Sequence, residues 1–312
     1  MATLMVAGAG GHLEELVMLR PRLQGLSEPL TWVTSDTSQA RHLLAGEERV
    51  DIPKSRPHDV AATLSTTATA VKLLGTRRFE QVVSTGSLPA VPFIGIGRAR
   101  GLSCHFIESA ARVSGPSLSA RMLEKVPGVH RYGQHDWGRT RWHYRGSVFD
   151  GFSAYPNPQG RPGRILVTVG TSPFGFRRLI ETVLAVAPPQ SQIIWQTGAS
   201  DLGGLGVQGV PTMTCQQLAV VMEEVDVVIA HGGVGSALMA MQAGKPPILV
   251  PRERIHGEHV DDHQSELVSV LASSGLASAC SASDLDREAI EEAARRSIAV
   301  AVEGSPFVLK EG

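Results

Sequence analysis

Short apolar runs alternate with segments of helical period along the chain, and most runs end in glycine or a small polar residue. β-Branched or apolar content predicts strands at 3–7, 30–34, 50–53, 81–84 and 104–108. Between them, Leu13, Leu16, Val17, Leu19 and Leu23 fall on one face of a helix predicted over 13–23. Residues 59–75 read as a helix of small residues, and 88–99 as an apolar helix carrying two prolines and two glycines. A helix of that kind can border a cleft or a lipid surface, but burial against a sheet is its expected role. Beyond Pro127, arginines alternate with aromatics (Arg131, Tyr132, Trp137, Arg139, Trp142, Tyr144, Arg145). That pattern reads as an amphipathic edge strand, or as a surface for an anionic sugar phosphate or a membrane.

Residues 147–163 carry Gly, Ser, Pro and Asn without periodicity, the composition of a linker. The alternation then resumes. Strands are predicted at 164–168, 193–196, 226–230 and 247–251, with helices at 174–186, 218–224, 237–243, 265–274 and 284–302. The last of these has acidic residues early and Arg295 and Arg296 late, as the helix dipole favours. Two rounds of alternating strand and helix predict an α/β chain of two Rossmann-like domains, 1–146 and 164–312, joined by 147–163.

The bulk properties narrow the class. At 312 residues the chain can hold two full cores, and 42% hydrophobic with 19% charged residues is the composition of an ordinary globular protein. A formal net charge of −1 argues against a nucleic-acid partner. Cys104, Cys215 and Cys280 lack metal or disulfide spacing, which fits a reducing cytoplasm. The apolar start MATLMVAGAGG is too short to span a bilayer and reads as a first strand, so membrane contact is expected to be peripheral.

Candidate chemistry concentrates in two places. Residues 231–236 (HGGVGS) form a glycine turn between a strand and a helix, where Gly232, Gly233 and Gly235 let an anion approach the main chain and Ser236 adds a hydroxyl. A following loop holds His256, Glu258, His259, Asp261, Asp262, His263 and Gln264, side chains that can hydrogen-bond sugar hydroxyls. Near the amino terminus, Gly8-Ala9-Gly10-Gly11-His12 is not the dinucleotide fingerprint, because its last glycine is misplaced and no acidic residue ends a suitable second strand. His12 and Glu15 lie three apart at a helix start. They can share a proton there, or serve only as a cap and a dipole partner.

The segment 226–267 resembles the donor-binding half of GT-B glycosyltransferases of the MurG and Alg13 kind, the family 28 type, with H-x-G-x-G-S, then Gly244-Lys245-Pro246, then His263-Gln264. Residues 164–172 are similar to the V-T-V-G-T opening of Alg13. The first half resembles Alg14, its acceptor-side partner, through G-x-G-G-H-x-x-E at 8–15, TGSLPAVP at 85–92 and E-S-x-x-R-V at 108–113. The likeness implies an Alg14-like half fused to an Alg13-like half, two Rossmann-like domains facing across a cleft.

The likeness also implies that a nucleotide sugar, UDP- or dTDP-linked, is bound through Gly170, Thr171, Gln196, Gly198, Met213, Thr214, His231, Gly232, Gly233, Gly235, Ser236, His263 and Gln264. On the acceptor side it implicates Gly10, Gly11, Glu108 and Arg112, with His12 and Glu15 as catalytic residues. The implied reaction is an inverting transfer without cofactor or metal. Its acceptor is a polyprenyl-diphosphate-linked sugar at the inner face of the cell membrane or, alternatively, a small natural product. Asp261 and Asp262 have no third metal ligand at suitable spacing. The family's ribose-binding Glu is replaced by Met239. A nucleotide-sugar epimerase and a non-catalytic binding protein are the other classes that share this fold, and self-association is left open.

Overall fold

The computed structural model describes residues 2–54, 59–259, 262–301 and 305–310. The chain divides into two compact units, Met1–Asp150 with Glu303–Gly312, and Gly151–Val302. The first runs β1 (Ala2–Ala7), α1 (Gly11–Leu19), β2 (Leu23–Gln24), β3 (Leu30–Ser35), α2 (Ser38–Leu43) and β4 (Glu48–Ile52). It continues through α3 (Val60–Thr76), β5 (Phe79–Gly86), α4 (Ala90–Ala99), β6 (Ser103–Ile107), α5 (Leu118–Leu123), β7 (Val129–Gly133) and β8 (His143–Tyr144). Among the described residues its main sheet is seven-stranded and parallel, in the order β4-β3-β1-β5-β6-β7-β8.

The order explains the burial. Central strands of a parallel sheet are covered on both faces, so β1, β3 and β5 are near-continuous apolar runs, with Leu4, Val6, Val33 and Val82 inside. α4 packs on this sheet by placing Pro92 in its first turn, where no helical hydrogen bond is lost, and Gly97 at the contact. A Cβ on Gly97 would lie 3.0 Å from Cys104 Sγ and 3.1 Å from Val82 Cγ2, so the glycine lets the helix come close. Helix α1 is shorter than expected. It ends at Leu19 because Pro21 turns the next residues into a single 3₁₀ turn.

The second unit holds β9 (Phe152–Pro156), β10 (Arg164–Thr168), α6 (Arg177–Val186), β11 (Gln192–Gln196), α7 (Cys215–Glu224) and β12 (Val227–His231). Then come α8 (Val234–Gln242), β13 (Ile248–Val250), α9 (His263–Ser273), β14 (Ser278–Ala279), α10 (Arg287–Ala294) and β15 (Arg296–Val300). Its sheet is parallel, in the order β11-β10-β12-β13-β14. Ile165, Val167, Ile229, Ile248 and Val250 pack against Leu179, Ile180, Val183 and Ile290 of the flanking helices.

Two expectations are corrected here. The helix predicted over 284–302 stops at Ala294, and Arg296–Val300 forms a strand antiparallel to β9. The division between units falls at Asp150, inside 147–163, but the rest of that stretch is not a free linker, because β9 lies in it and belongs to the second unit. Each strand depends on the other for its ladder, and neither has an apolar pattern strong enough to announce it alone. The end of the chain also departs from the sequence-based boundary, since β16 (Phe307–Val308) pairs with β2 in the first unit. There Phe307 is buried beside Tyr132, and the Lys310 N–H donates to Tyr132 Oη at 2.8 Å.

Candidate active site

In both sheets the candidate residues sit at the carboxyl ends of strands, beside the point where strand order reverses. In open parallel sheets that crevice is where ligands bind. In the first unit the reversal lies between β1 and β5, and in the second between β10 and β12.

In the first unit the turn after β1 places Gly10 at φ 94°, open to a glycine without strain. Gln39, on the α2 helix that the sequence did not reveal, fixes the turn: Gly10 N–H donates to Gln39 Oε1 at 2.7 Å, and Gln39 Nε2 donates back to Gly10 O. α1 then starts at Gly11, and its first turn carries His12. His12 Nδ1 lies 2.9 Å from the Thr85 carbonyl, while Thr85 Oγ1 donates to the His12 carbonyl. A carbonyl can only accept, so Nδ1 carries the proton and Nε2 keeps its lone pair. Burial lowers the His12 pKa, and nearby Arg112 lowers it further against the Thr85 hydrogen bond. The ring is therefore neutral at pH 7 and able to accept a proton.

Glu15 does not share that proton. It is fully buried; Oε1 accepts from Ser109 Oγ at 2.6 Å, and Oε2 from Ala110 N–H at 2.8 Å and Gln134 Nε2 at 2.6 Å. Burial pushes its pKa up to about 7 in spite of these three donors. Glu108 is likewise buried, accepting from the Ser109 and Ser117 N–H groups. Both carboxylates fold the loop after β6 and thereby place half-buried Arg112. Glu15→Ala leaves three donors unpaired in the interior, and the expected cost is about 3 kcal/mol of folding stability. Denaturant unfolding measures it; an unchanged midpoint with lost turnover would return Glu15 to the chemistry.

In the second unit, β12 ends at His231, whose ring lies against two glycine turns. A Cβ on Gly170 (φ +74°) would sit 2.4 Å from His231 Cε1, and one on Gly233 would sit 2.5 Å from Nε2. The ring's Nδ1 is buried without a hydrogen-bond partner among the described residues. Gly232 faces elsewhere, with its Cα against Val268 and Gln264 of α9. Gly233 is the N-cap of α8 and no described side chain caps it; the first N–H with a helical acceptor is that of Ala237, on Gly233 O. The N–H groups of Val234, Gly235 and Ser236 thus have no acceptor within the helix and gather at its positive end.

The remaining expected donor contacts divide. Gln196 makes four hydrogen bonds: Oε1 accepts from Thr168 Oγ1 and Gly170 N–H, and Nε2 donates to the carbonyls of Gly170 and Pro211. Its amide is saturated, so Gln196 shapes the Gly170 turn instead of touching a ligand. Gly198 permits the same close packing, since a Cβ there would lie 2.9 Å from Gly170 O. Thr214 caps α7 in a box with Gln217, beside half-buried Met213. Thr171 is exposed, and His263, which opens α9, stacks edge-on with His259 at 5.1 Å.

The polar loop expected on sugar hydroxyls is largely occupied in holding itself. Glu258 pairs with Arg178 through two contacts, 3.1 and 2.9 Å. Asp262 accepts from Arg254 N–H, Gln264 Oε1 accepts from Arg252 N–H, and His256 faces Glu253 at 3.3 Å. Asp261 lies outside the described residues.

Residues 164–298 match the family model described as the glycosyltransferase family 28 C-terminal domain. The second unit is a family 28 glycosyltransferase domain. No match is found among curated proteins. The whole chain has the GT-B fold of two Rossmann-like domains, as three solved structures illustrate. MurG of Acinetobacter baumannii is 20% identical with a TM-score of 0.54, over 94% of this chain and 89% of that one. The glycosyltransferase VinC in complex with dTDP is 15% identical, TM-score 0.53, over 95% and 90%. UDP-GlcNAc 2-epimerase of Methanocaldococcus jannaschii is 8% identical, TM-score 0.55, over 99% and 96%. Since this fold also serves an epimerase, it is the family 28 domain that marks the chain as a glycosyltransferase.

Sequence reasoning missed Arg252, which is 1% exposed and joins the loops of this glycosyltransferase domain. A lone cation directly after the apolar strand ILVP was its only signal. The arginine and aromatic segment supplies β7 and β8 at the edge of the first sheet, as its pattern predicts. Trp137 and Trp142 pack edge-to-face at 4.9 Å, and their N–H groups donate to Val113 O and Glu124 Oε1. These indoles brace the first unit. Among the described residues no helix is long and apolar enough to cross a membrane.

Proposed function

We propose that the protein moves a sugar, with inversion, from a nucleoside diphosphate to an acceptor hydroxyl. The observation that carries this reading is the uncapped N-terminus of α8 at the strand-order reversal, behind two glycines that leave no room for side chains. Its amides suit the diphosphate, whose charge grows as the anomeric bond breaks, and they can stabilise the leaving group without a metal. His12 Nε2 takes the acceptor's proton, so one unit holds the donor and the other the base. The likeness of 8–15, 85–92 and 108–113 to Alg14 supports a polyprenyl-diphosphate-linked sugar as acceptor and a UDP-sugar as donor.

The test is a thermal-shift screen with UDP, dTDP and GDP, followed by nucleotide release from the corresponding sugars with and without acceptor. A ligand that binds only the native state raises the midpoint. Conversion of a nucleotide sugar into its epimer, with no acceptor and no net nucleotide release, would identify an epimerase, and absence of any nucleotide response would end the reading.

Met239 favours a second reading of the donor. It is half-buried on the same face of α8 as Ser236, three residues on, and a thioether gives ribose hydroxyls no strong acceptor. A deoxyribose donor, as in dTDP-sugars, fits that surface. Met239→Glu is expected to raise the preference for UDP over dUDP by about tenfold, the worth of one hydrogen bond to a charged group. Titration calorimetry with the two nucleotides measures the ratio, and an unchanged ratio would remove ribose from this face.

A further inference from the structure

Arg252 follows β13 and is sealed in the second unit, yet no carboxylate hydrogen-bonds it among the described residues. Nη2 donates to Val169 O at 2.7 Å, and Nη1 lies 3.0 Å from Phe174 O, 2.9 Å from Gly175 O and 3.1 Å from Glu258 O. Among the described residues Nε is buried without a partner, and the guanidinium lies over the Phe176 ring at 4.9 Å. The nearest candidate counter-ion, Glu258, gives its carboxylate to Arg178 and to the Glu253 N–H instead. Burying a cation costs several kcal/mol unless something offsets it, and the carbonyls that Arg252 meets need donors but not a charge.

The location gives the charge a use. Val169, which accepts from Arg252, precedes Gly170, and Gly170 and Gly233 enclose the His231 ring beside the α8 N-terminus. We propose that Arg252 is the positioning residue of the diphosphate site, a fixed positive charge sealed behind the Gly170 and Gly233 turns that strengthens their hold on the leaving nucleoside diphosphate. It needs no contact with the ligand. In a water-excluded interior a unit charge acts over more than one residue layer, and counter-ions do not screen it. Its field is felt at His231, whose pKa burial first and Arg252 next push down to about 4.

This inference rests on α8 as the diphosphate site, and the experiment separates the two. UDP and UMP binding are measured by calorimetry for the full-length protein, Arg252→Gln and Arg252→Lys. Gln keeps donors for the carbonyls without the charge, and Lys keeps the charge. Arg252→Gln is expected to weaken UDP by at least ~20-fold and UMP by less, since the effect grows with ligand charge, while Arg252→Lys stays within ~3-fold. A UDP affinity within twofold of the parent for Arg252→Gln, equal losses in Gln and Lys, or equal losses for UDP and UMP would overturn it. If Arg252→Gln fails to fold, Lys decides alone, and a tenfold loss there overturns the proposal. If the parent protein binds no nucleoside diphosphate, the α8 reading itself has failed.

Discussion

Gly233→Ala is expected to abolish measurable binding of nucleoside diphosphates, a loss on the order of a hundredfold or more, from one added methyl group. Gly233 has φ −91°, which any residue adopts, so the effect is steric and not conformational. The new Cβ would meet His231 Nε2 at 2.5 Å, so the ring would have to move, and it already packs against the Gly170 turn, where a Cβ would lie 2.4 Å from Cε1. Either the imidazole swings into the space in front of α8 or the helix start shifts, and both spoil amides that must converge on one anion to within a few tenths of an ångström. Overpacking of this kind costs ~1–3 kcal/mol in stability, so the variant should remain folded with a lowered midpoint. Calorimetry with UDP and dTDP reads the result. Binding within threefold of the parent would place the diphosphate away from α8.

His12→Ala is expected to lower kcat by a factor on the order of a hundred or more while nucleotide affinity stays within about twofold, the signature of a lost general base. The ring's geometry makes the forecast specific. Thr85 O fixes the proton on Nδ1, so Nε2 is the only basic nitrogen, and burial with Arg112 nearby holds the pKa below its usual 6.5. The working form is neutral, so the acid limb of the kcat/KM profile should lie below pH 6.5 and vanish in the variant. Loss of donor binding with kcat unchanged would show that His12 serves the nucleotide. Because Glu15 is held by Ser109, Ala110 and Gln134, its removal should reduce stability instead and leave that acid limb in place.

These two residues also show how the sequence can be read for this protein. The glycine turn of 231–236 is legible because only glycine tolerates such approach, and a strand before it with a helix after it needs no tertiary information. The central strands β1, β3, β5, β10 and β12 are legible for a similar reason. Each is buried on both faces, so its apolar run is continuous and local. The edge pieces are not: β9 and β15 lie far apart in sequence, and residues 296–300 continue a helical pattern that only the ladder with Phe152–Pro156 overrides.

The chain by itself determined the α/β architecture of two Rossmann-like halves, the glycine turns and the identity of the candidate base, because periodicity, φ preference and side-chain chemistry are properties of neighbours along the backbone. Only tertiary structure decided what the polar side chains do. Glu15, Gln196, Glu258 and Gln264 all looked free to meet substrate, and all four are committed to partners between 5 and 119 residues away. Arg252 showed no motif, yet folding brings the carbonyls of Val169, Phe174, Gly175 and Glu258 around it. The physical reason is that a buried polar group must find a partner wherever the fold places one, and that search runs through space rather than along the sequence.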